Sequence, residues 1–295
     1  MTFSTRLASR ISGMASRRLT AATANNQLQL QLRHMASKTP NSSVFNTNHG
    51  IGAATAELFA RAGSNVVLLA RRRAALDQVA EQCQQAYAES GHDGRVVVIP
   101  ADMQDRKSVG GVLDQLDGLT LDILVNNAGL VRGREHVGDV TDEDIEVMFQ
   151  TNVFGLIHLT QSVVREFKKR NQGMIINLGS VAGIEPYAGG SIYCATKAAV
   201  TAFSGSLLRE LVNTNIRVAE IQPGMVETEF SVVRYRGDKD RATNEYSGMT
   251  PLTGADIAEQ IVWVASRPAH VNIANMLIFP VNQASATINW RKPQE

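Results

Sequence analysis

The sequence has little cysteine and no long apolar run, and both absences exclude classes of protein. Its 295 residues include only two cysteines, Cys83 and Cys194, which cannot build a disulfide framework and form no CxxC pair. We therefore expect a reducing compartment and two small core residues, with no metal site. No apolar stretch approaches the roughly 18 residues that a membrane-spanning helix needs, so no membrane span is predicted.

An excess of charge of one sign is also missing. The formal net charge is +1 and charged residues make up 19% of the chain, so no global field attracts nucleic acid or an anionic membrane. The hydrophobic content of 44% is typical of an ordinary globular protein. These values argue against a nucleic-acid partner and against binding to an anionic membrane surface.

Acidic residues are absent before Glu57, whereas arginine and serine recur in the same stretch. An Arg-rich, Ser-rich, acid-poor N-terminus is typical of a mitochondrial transit peptide. A basic tail without structure, or an extension ahead of a second start at Met35, are the alternative interpretations. We predict a basic N-terminal extension over residues 1–40 and one folded domain over residues 41–295. The location is mitochondrial or cytoplasmic, and the composition favours mitochondrial.

Short β-branched runs alternate with helical patterns from about residue 50 onward. The runs are 66–69, 96–99, 123–125, 175–178, 216–221 and 276–279. Several are almost continuously apolar, as expected of parallel strands covered on both faces. The alternation predicts a single α/β domain, a doubly wound parallel sheet of Rossmann-like type.

A glycine pair and a basic pair predict a dinucleotide site in the first half. Gly50, Ile51 and Gly52 stand where a loop enters a helix, and glycines there let backbone amides approach a pyrophosphate. The next strand ends at Arg71 and Arg72, where an NAD enzyme usually has a carboxylate for the ribose 2′-hydroxyl. Arginines suit a 2′-phosphate, so NADP is favoured. An ordinary tight turn and a solvated basic turn are the alternatives.

The residues just ahead of Gly50 fit a central strand poorly. Only Val44 and Phe45 are apolar between Pro40 and His49. Asn46 stands where an early glycine would help, although asparagine tolerates a left-handed backbone. The sequence therefore predicts a weak first strand, and one explanation is a mispredicted exon junction.

Tyr193 and Lys197 carry the catalytic prediction in the second half. Their spacing of four residues places both on one face of a helix, one turn apart. A neighbouring ammonium group stabilises a phenolate, so we expect Lys197 to lower the pKa of Tyr193 toward the working pH. Tyr193 could then exchange a proton with a carbinol oxygen. A chance YxxxK pattern is the alternative.

Other polar residues stand at predicted strand ends or inside a predicted helix. Ser180 follows a strand and can hydrogen-bond a substrate oxygen. Asn152 lies mid-helix, where asparagine is unfavourable and its side chain needs another use. Residues 126–129 follow another strand, at the carboxyl edge where open α/β sheets bind ligands.

At these residues the chain resembles the short-chain dehydrogenase/reductase family, over roughly residues 50 to 285. The shared motifs are Gly50-Ile51-Gly52, the Asn-Asn-Ala-Gly of 126–129, Asn152, Ser180, Tyr193-x-x-x-Lys197 and Pro223-Gly224. The resemblance implies that Tyr193 is the acid/base, Lys197 modifies its pKa and binds ribose, Ser180 positions the oxygen and Asn152 anchors a proton relay. It also implies cofactor contacts from Asp102, Asn127, Gly129, Val226 and Thr228, and a homotetramer.

A narrower resemblance lies toward the C-terminus. Residues 228–237 and 268–273 are similar to those of NADP-dependent 3-hydroxy acid dehydrogenases, which act on serine and L-allo-threonine. A 3-hydroxy acid needs a cation for its carboxylate, and Arg234 and Arg236 stand on a predicted substrate lid. We take Ser180, Tyr193 and Arg234 as the substrate contacts, with a solvated basic loop as the alternative for either arginine.

The family has an apolar strand and a Thr-Gly pair ahead of the glycine equivalent to Gly50, and this chain lacks both. Three functions therefore stay open. The first is an NADP-dependent dehydrogenase of small 3-hydroxy acids. The second is a broad carbonyl reductase of the same family, and the third a non-catalytic relative with a defective cofactor loop.

Overall fold

Seven parallel strands form one sheet with helices on both faces. The computed structural model describes residues 42–46, as backbone only, and residues 50–293. The strands are β1 (Ser42–Asn46), β2 (Asn65–Ala70), β3 (Val96–Pro100), β4 (Ile123–Asn126), β5 (Gly173–Leu178), β6 (Ile216–Pro223) and β7 (Asn275–Ile278). Their spatial order is β3-β2-β1-β4-β5-β6-β7, which confirms the doubly wound Rossmann-like prediction.

The helices occupy the connections between strands. They are α1 (Ile51–Arg61), α2 (Arg73–Ser90), α3 (Arg106–Gly110), α4 (Asp142–Phe149), α5 (Leu156–Arg170), α6 (Ser191–Glu210), α7 (Glu229–Arg234), α8 (Lys239–Asn244) and α9 (Gly254–Ala265). Within the described residues, no helix combines the length and apolarity needed to cross a membrane. The predicted extension over residues 1–40 lies outside the described residues.

Strand β1 stands at the centre of the sheet despite its polar sequence. Val44 is in register with Val67 of β2 and with Leu124 of β4, so the strand is paired on both sides. Pairing with a strand on each side outweighs intrinsic strand propensity, which explains why a weak pattern still forms a strand. The strand order reverses at β1 and β4, and a ligand crevice is expected at that edge. The turn at 47–49 lies outside the described residues.

The predicted long helix after Thr141 is interrupted by a wider turn. The Thr141 hydroxyl accepts a hydrogen bond from Asp144 N and caps α4. Residues 150–155 then form a π-helical segment before α5 begins. Such segments are rare and occur often at functional sites, because they redirect side chains that a regular helix would place elsewhere.

Fully buried aliphatic and aromatic side chains join the sheet to α5 and α6. Phe167 of α5 is fully buried in a cluster with Leu124, Ile175 and Val218 from the central strands. Burying each such side chain contributes about 1.5 to 3 kcal/mol. Leu207 of α6 lies in the same cluster, so this packing fixes the helix that carries Tyr193 and Lys197.

Candidate active site

A cleft of about 1510 Å³ opens at the carboxyl edge of the sheet, where the strand order reverses. Twelve of the predicted site residues line it: Ile51, Arg71, Arg72, Asp102, Asn127, Gly129, Ser180, Tyr193, Lys197, Val226, Thr228 and Arg234. The other three stand beside it, since Gly50 and Gly52 begin α1 and Asn152 lies in the π-helical segment. The fold therefore brings the residues predicted from both halves of the sequence to one place.

Tyr193 and Lys197 lie on the buried face of α6. Tyr193 is 7% exposed and Lys197 is 5% exposed. The Lys197 Nζ is 5.9 Å from the centroid of the Tyr193 ring and donates a hydrogen bond of 2.7 Å to Leu178 O. Leu178, the last residue of β5, therefore fixes the Lys197 ammonium group beside the Tyr193 ring.

Burial dominates the proton affinities of this pair. It raises the pKa of Tyr193 above its ordinary value, and Ser180 and Arg234 act in the opposite direction. Burial therefore acts against the expected lowering of the Tyr193 pKa, and the effect of Lys197 on that pKa stays a prediction. Burial also lowers the pKa of Lys197 to about 8, because removal from water disfavours the charged ammonium.

Ser180 begins a short 3₁₀ turn directly after β5. Its hydroxyl accepts a hydrogen bond of 3.1 Å from Ala182 N, which fixes the side chain at the edge of the cleft. The residue is 9% exposed, so the hydroxyl is oriented before any ligand arrives. An oriented hydroxyl beside a phenol can polarise a carbonyl oxygen.

Asn152 connects three parts of the cleft wall. Its Nδ2 donates to Leu130 O at 2.8 Å and to Thr196 Oγ1 at 3.1 Å, and its Oδ1 accepts from Leu130 N at 2.8 Å. Thr196 in turn donates to Tyr193 O at 2.7 Å. The side chain thus joins the loop after β4 to the helix that carries Tyr193. This explains an asparagine inside a helix.

The Asn-Asn-Ala-Gly stretch, which begins with the last residue of β4, divides into structural and cleft-facing residues. The Asn126 Nδ2 donates to Thr160 Oγ1 at 2.9 Å and to Asn177 Oδ1 at 2.8 Å, all within the core. Asn127 and Gly129 line the cleft. A Cβ on Gly129 would lie 3.5 Å from the Lys197 Nζ, so the glycine leaves room beside the ammonium group.

The first half of the chain forms the other end of the cleft. Gly50, at φ +62°, begins α1, and a Cβ there would meet the Thr228 side chain at 2.9 Å. Gly52 is buried inside α1. Arg71 and Arg72 are exposed at the end of β2, and Arg72 pairs with Glu229 at 3.4 Å. A glycine at a helix N-terminus, with cations at the end of the next strand, fits a dinucleotide carrying an extra phosphate.

Helices α7 and α8 border the same cleft, and we call residues 229–244 the lid segment. The Arg234 guanidinium lies 5.9 Å from the Tyr193 ring centroid and 5.7 Å from that of Phe230. It donates a hydrogen bond of 2.7 Å to the hydroxyl of Tyr187. No ion pair with Arg234 is found among the described residues, and its Nε has no hydrogen-bond partner there.

Arg236 takes a different place. Its side chain forms an ion pair of 2.6 Å with Asp144, which is 8% exposed. Arg236 and a hydrogen bond from Thr141 keep the pKa of Asp144 below its ordinary value, although burial acts against them. Arg236 therefore attaches the lid segment to α4 and leaves Arg234 as the lid arginine that faces Tyr193.

A family model described as short chain dehydrogenase matches residues 44–238, more than half of the chain. The protein belongs to this family. The short-chain dehydrogenase is 42% identical over 246 residues to "NADP-dependent 3-hydroxy acid dehydrogenase" of Schizosaccharomyces pombe, covering 82% of this chain and 93% of the relative. It is 39% identical to "Serine 3-dehydrogenase" of Agrobacterium fabrum over 239 residues, which cover 80% and 92% of the two chains.

Solved structures agree with the sequence relatives. The closed form of a serine dehydrogenase complexed with NADP+ superposes on the short-chain dehydrogenase with a TM-score of 0.74 at 37% identity, covering 85% of this chain and all of that one. Serine dehydrogenase from Escherichia coli gives a TM-score of 0.66 at 33% identity, with coverages of 82% and 99%.

Sequence reasoning missed some cleft residues of this short-chain dehydrogenase. Tyr187 lies in a loop whose sequence has no periodicity, so no pattern indicated that it contacts Arg234. Tyr246, whose hydroxyl donates to Val226 O at 2.8 Å, lies in an irregular stretch after α8. Glu220 on β6 is buried outside the cleft lining, and its one available signal was a carboxylate between the apolar Ala219 and Ile221 of a predicted strand.

Proposed function

We propose that this protein transfers a hydride between NADP and the hydroxyl or carbonyl carbon of a small 3-hydroxy acid of the serine or L-allo-threonine type. The relatives named above support the substrate class and the cofactor. The single observation that carries the proposal is the environment of Arg234. This cation lies beside Tyr193 without an ion-pair partner among the described residues.

A guanidinium group with few contacts to water needs charge compensation. Among the described residues Glu245 acts on Arg234 electrostatically but forms no ion pair with it, so an anion is expected beside the guanidinium group. Its planar fork matches a carboxylate, and Nε is a donor without a protein partner. If the substrate carboxylate lay on Arg234, the substrate carbon two bonds from the carboxylate carbon would lie toward the Tyr193 hydroxyl. That spacing suits oxidation at the third carbon of a hydroxy acid.

The cofactor is assigned to the rest of the cleft. Gly50, Ile51 and Gly52 would hold the pyrophosphate, Arg71 and Arg72 the 2′-phosphate, and Asp102 the adenine. Asn127 and Gly129 would contact the ribose side, and Val226 and Thr228 the nicotinamide amide. When bound, NADP supplies the carbon that gives or accepts the hydride.

The chain's own residues would handle the proton and the oxygen. Tyr193 would donate its phenolic proton to a carbonyl oxygen in reduction, or accept the hydroxyl proton in oxidation. Ser180 would hold the same oxygen by its hydroxyl. The Lys197 ammonium would stabilise the phenolate, and Asn152 would keep the loop after β4 against α6. In this scheme Ser180, Tyr193 and Arg234 touch the substrate.

A substrate panel tests the proposal. L-allo-threonine, L-serine and a small diketone are assayed with NADP and with NAD, using the wild-type protein and Arg234→Gln. We expect NADP-dependent turnover of the hydroxy acids, and at least about a tenfold rise in their KM in the variant, as for loss of a charged contact. The diketone, which has no carboxylate, should be nearly unaffected.

Two outcomes would replace the proposal. Equal or faster turnover of the diketone, with no effect of Arg234→Gln on either class, would indicate a broad carbonyl reductase. Failure of NADPH fluorescence to change on addition of protein would indicate a non-catalytic relative with a defective cofactor loop. A saturable NADPH titration at micromolar or lower concentration would exclude the non-catalytic relative.

Assembly and location extend the proposal. We infer a homotetramer, which is supported by exposed apolar side chains in β7 and in the segment that follows it, namely Leu277, Val281, Ile288 and Trp290. The Arg-rich composition of residues 1–40 supports a mitochondrial rather than a cytoplasmic location, and residues 41–295 are the catalytic domain. Light scattering of the purified protein and imaging of a fluorescent fusion would test these assignments.

A further inference from the structure

Glu220 is a carboxylate buried beneath the catalytic residues. It lies in β6 and is 3% exposed, yet the described residues form no ion pair with it. Its Oε1 accepts a hydrogen bond of 2.7 Å from Thr201 Oγ1, and the side chain of Gln222 provides another. A carboxylate in such a place is costly and needs a compensating interaction. The roles assigned above do not explain it.

The position of the carboxylate is set by the turn that carries Ser180. Asn177 of β5 is in register with Glu220, and Gly179 N donates to Ile221 O at 2.8 Å. A Cβ on Gly179 would collide with the Glu220 carboxylate. The carboxylate therefore packs directly on the residue between Leu178, the acceptor of the Lys197 hydrogen bond, and Ser180.

The hydroxyl partner of Glu220 belongs to the catalytic helix. Thr201 is one helical turn beyond Lys197 on α6. A Cβ on Gly183, in the 3₁₀ turn after Ser180, would lie 2.7 Å from Lys197 O and 3.0 Å from Thr201 Oγ1. Glu220 thus touches both walls that hold Lys197, the Ser180 turn on one side and α6 on the other.

Among the residues that the structure describes, few charged groups act on Lys197 from the surrounding elements. Tyr193 lies on its own helix, Glu220 acts on it electrostatically from β6, and Arg234 reaches the Tyr193 ring from the lid segment. Asn152 and Ser180 are neutral. Burial lowers the pKa of Lys197 and Glu220 raises it, while burial raises the pKa of Glu220 and Lys197 lowers it. Each charge stabilises the other across the cleft floor.

We propose that Glu220 is a positioning residue for Lys197, holding the Ser180 turn against α6 and keeping the buried ammonium group charged. The proposal rests on the proposed function, because that function assigns Lys197 the role of stabilising the Tyr193 phenolate. It assigns to β6 a part in proton transfer, although no atom of Glu220 needs to touch substrate or cofactor.

The test compares Glu220→Gln with Thr201→Val. The glutamine keeps the shape and an acceptor for Thr201 but removes the charge, whereas the valine keeps the charge and removes one hydrogen bond. The rate of carbonyl reduction is followed from about pH 6 to about pH 10. In Glu220→Gln we expect its decline at alkaline pH to begin roughly one pH unit lower than in the wild type, which is a tenfold lower rate at a given alkaline pH. NADPH titration without substrate should weaken over the same range.

Thr201→Val should lower Tm, whereas its rate of carbonyl reduction should decline at the same alkaline pH as that of the wild type. The positioning role is wrong if Glu220→Gln has the alkaline decline of the rate and the NADPH titration of the wild type, whatever its Tm. Glu220→Asp keeps the charge. If its rate declines at the same pH as that of Glu220→Gln, the proposal is also overturned.

A thermal cycle covers the case in which Glu220→Gln folds poorly. If the two charges support each other, Glu220→Gln should lower Tm less in a Lys197→Met background than in the wild type. Additive Tm changes would refute the coupling. This cycle needs no substrate, so it separates failure of the Glu220 proposal from absence of turnover with 3-hydroxy acids.

Discussion

Arg234 and Arg236 stand two positions apart on the lid segment, yet the structure gives them different partners. Arg236 pairs with the buried Asp144, whereas Arg234 lies beside Tyr193 among aromatic rings. Both are arginines of the same segment, so only the folded chain distinguishes the one that pairs with Asp144 from the one that lies beside Tyr193. The two tyrosines near Arg234 raise a similar question, because either phenol could be the acid.

Tyr193→Phe should reduce kcat by about 100- to 10,000-fold, since it removes the phenolic proton and little else. Tyr187→Phe is the matched control. It loses the hydrogen bond to Arg234, so KM for the hydroxy acid should rise while kcat changes little. Steady-state kinetics with both variants, alongside NADPH titration to verify binding, would decide. Unchanged turnover in Tyr193→Phe would remove it from the acid/base role.

At the scale of elements, strand and helix alternation was enough to predict the sheet. The six predicted strands are present, and α1, α2 and the capped start of α4 follow their patterns. The strength of β1 and the π-helical segment could not be predicted, because both depend on pairing and contacts far away in sequence. The same limit applies to the site: Tyr193 and Lys197 share a local spacing, whereas Tyr187 and Glu220 meet their partners only through the fold.

The lid segment offers an element-scale prediction. Asp144→Asn removes the charge that holds Arg236, so the segment should be less well fixed and KM for the hydroxy acid should rise about threefold to tenfold. We expect kcat to change less, because the Tyr193 surroundings are intact. Limited proteolysis within residues 229–244 should become faster, and bound NADP with substrate should restore protection.

Asp77→Asn is the control for that experiment. Asp77 pairs with Arg73 at 2.8 Å on the exposed face of α2, where such a pair contributes only about 0.3 to 0.5 kcal/mol. It should leave KM and the proteolysis rate unchanged. Equal effects of the two variants would mean that the Asp144–Arg236 pair does not hold the lid segment in place.

For the molecule as a whole, the proposed catalytic site has a cost in stability. Lys197 has a pKa of about 8 in the folded protein against 10.5 for an ordinary lysine. Between these values the unfolded chain binds more protons than the folded one, so the Lys197 contribution to stability rises with pH. The difference corresponds to about 3 kcal/mol of cost at neutral pH, as an order of magnitude.

Lys197→Met should therefore be more stable than the wild type at neutral pH, although its activity is lost. Methionine fills similar space without a charge, and the lost hydrogen bond to Leu178 O offsets about 1 kcal/mol of the gain. The advantage should shrink as the pH rises from about 8 to about 10.5, because the wild-type lysine becomes neutral in that window. Urea unfolding at several pH values measures this. A variant less stable at neutral pH, or a difference independent of pH, would show that the folded protein holds the Lys197 charge without strain and that Glu220 compensates it fully.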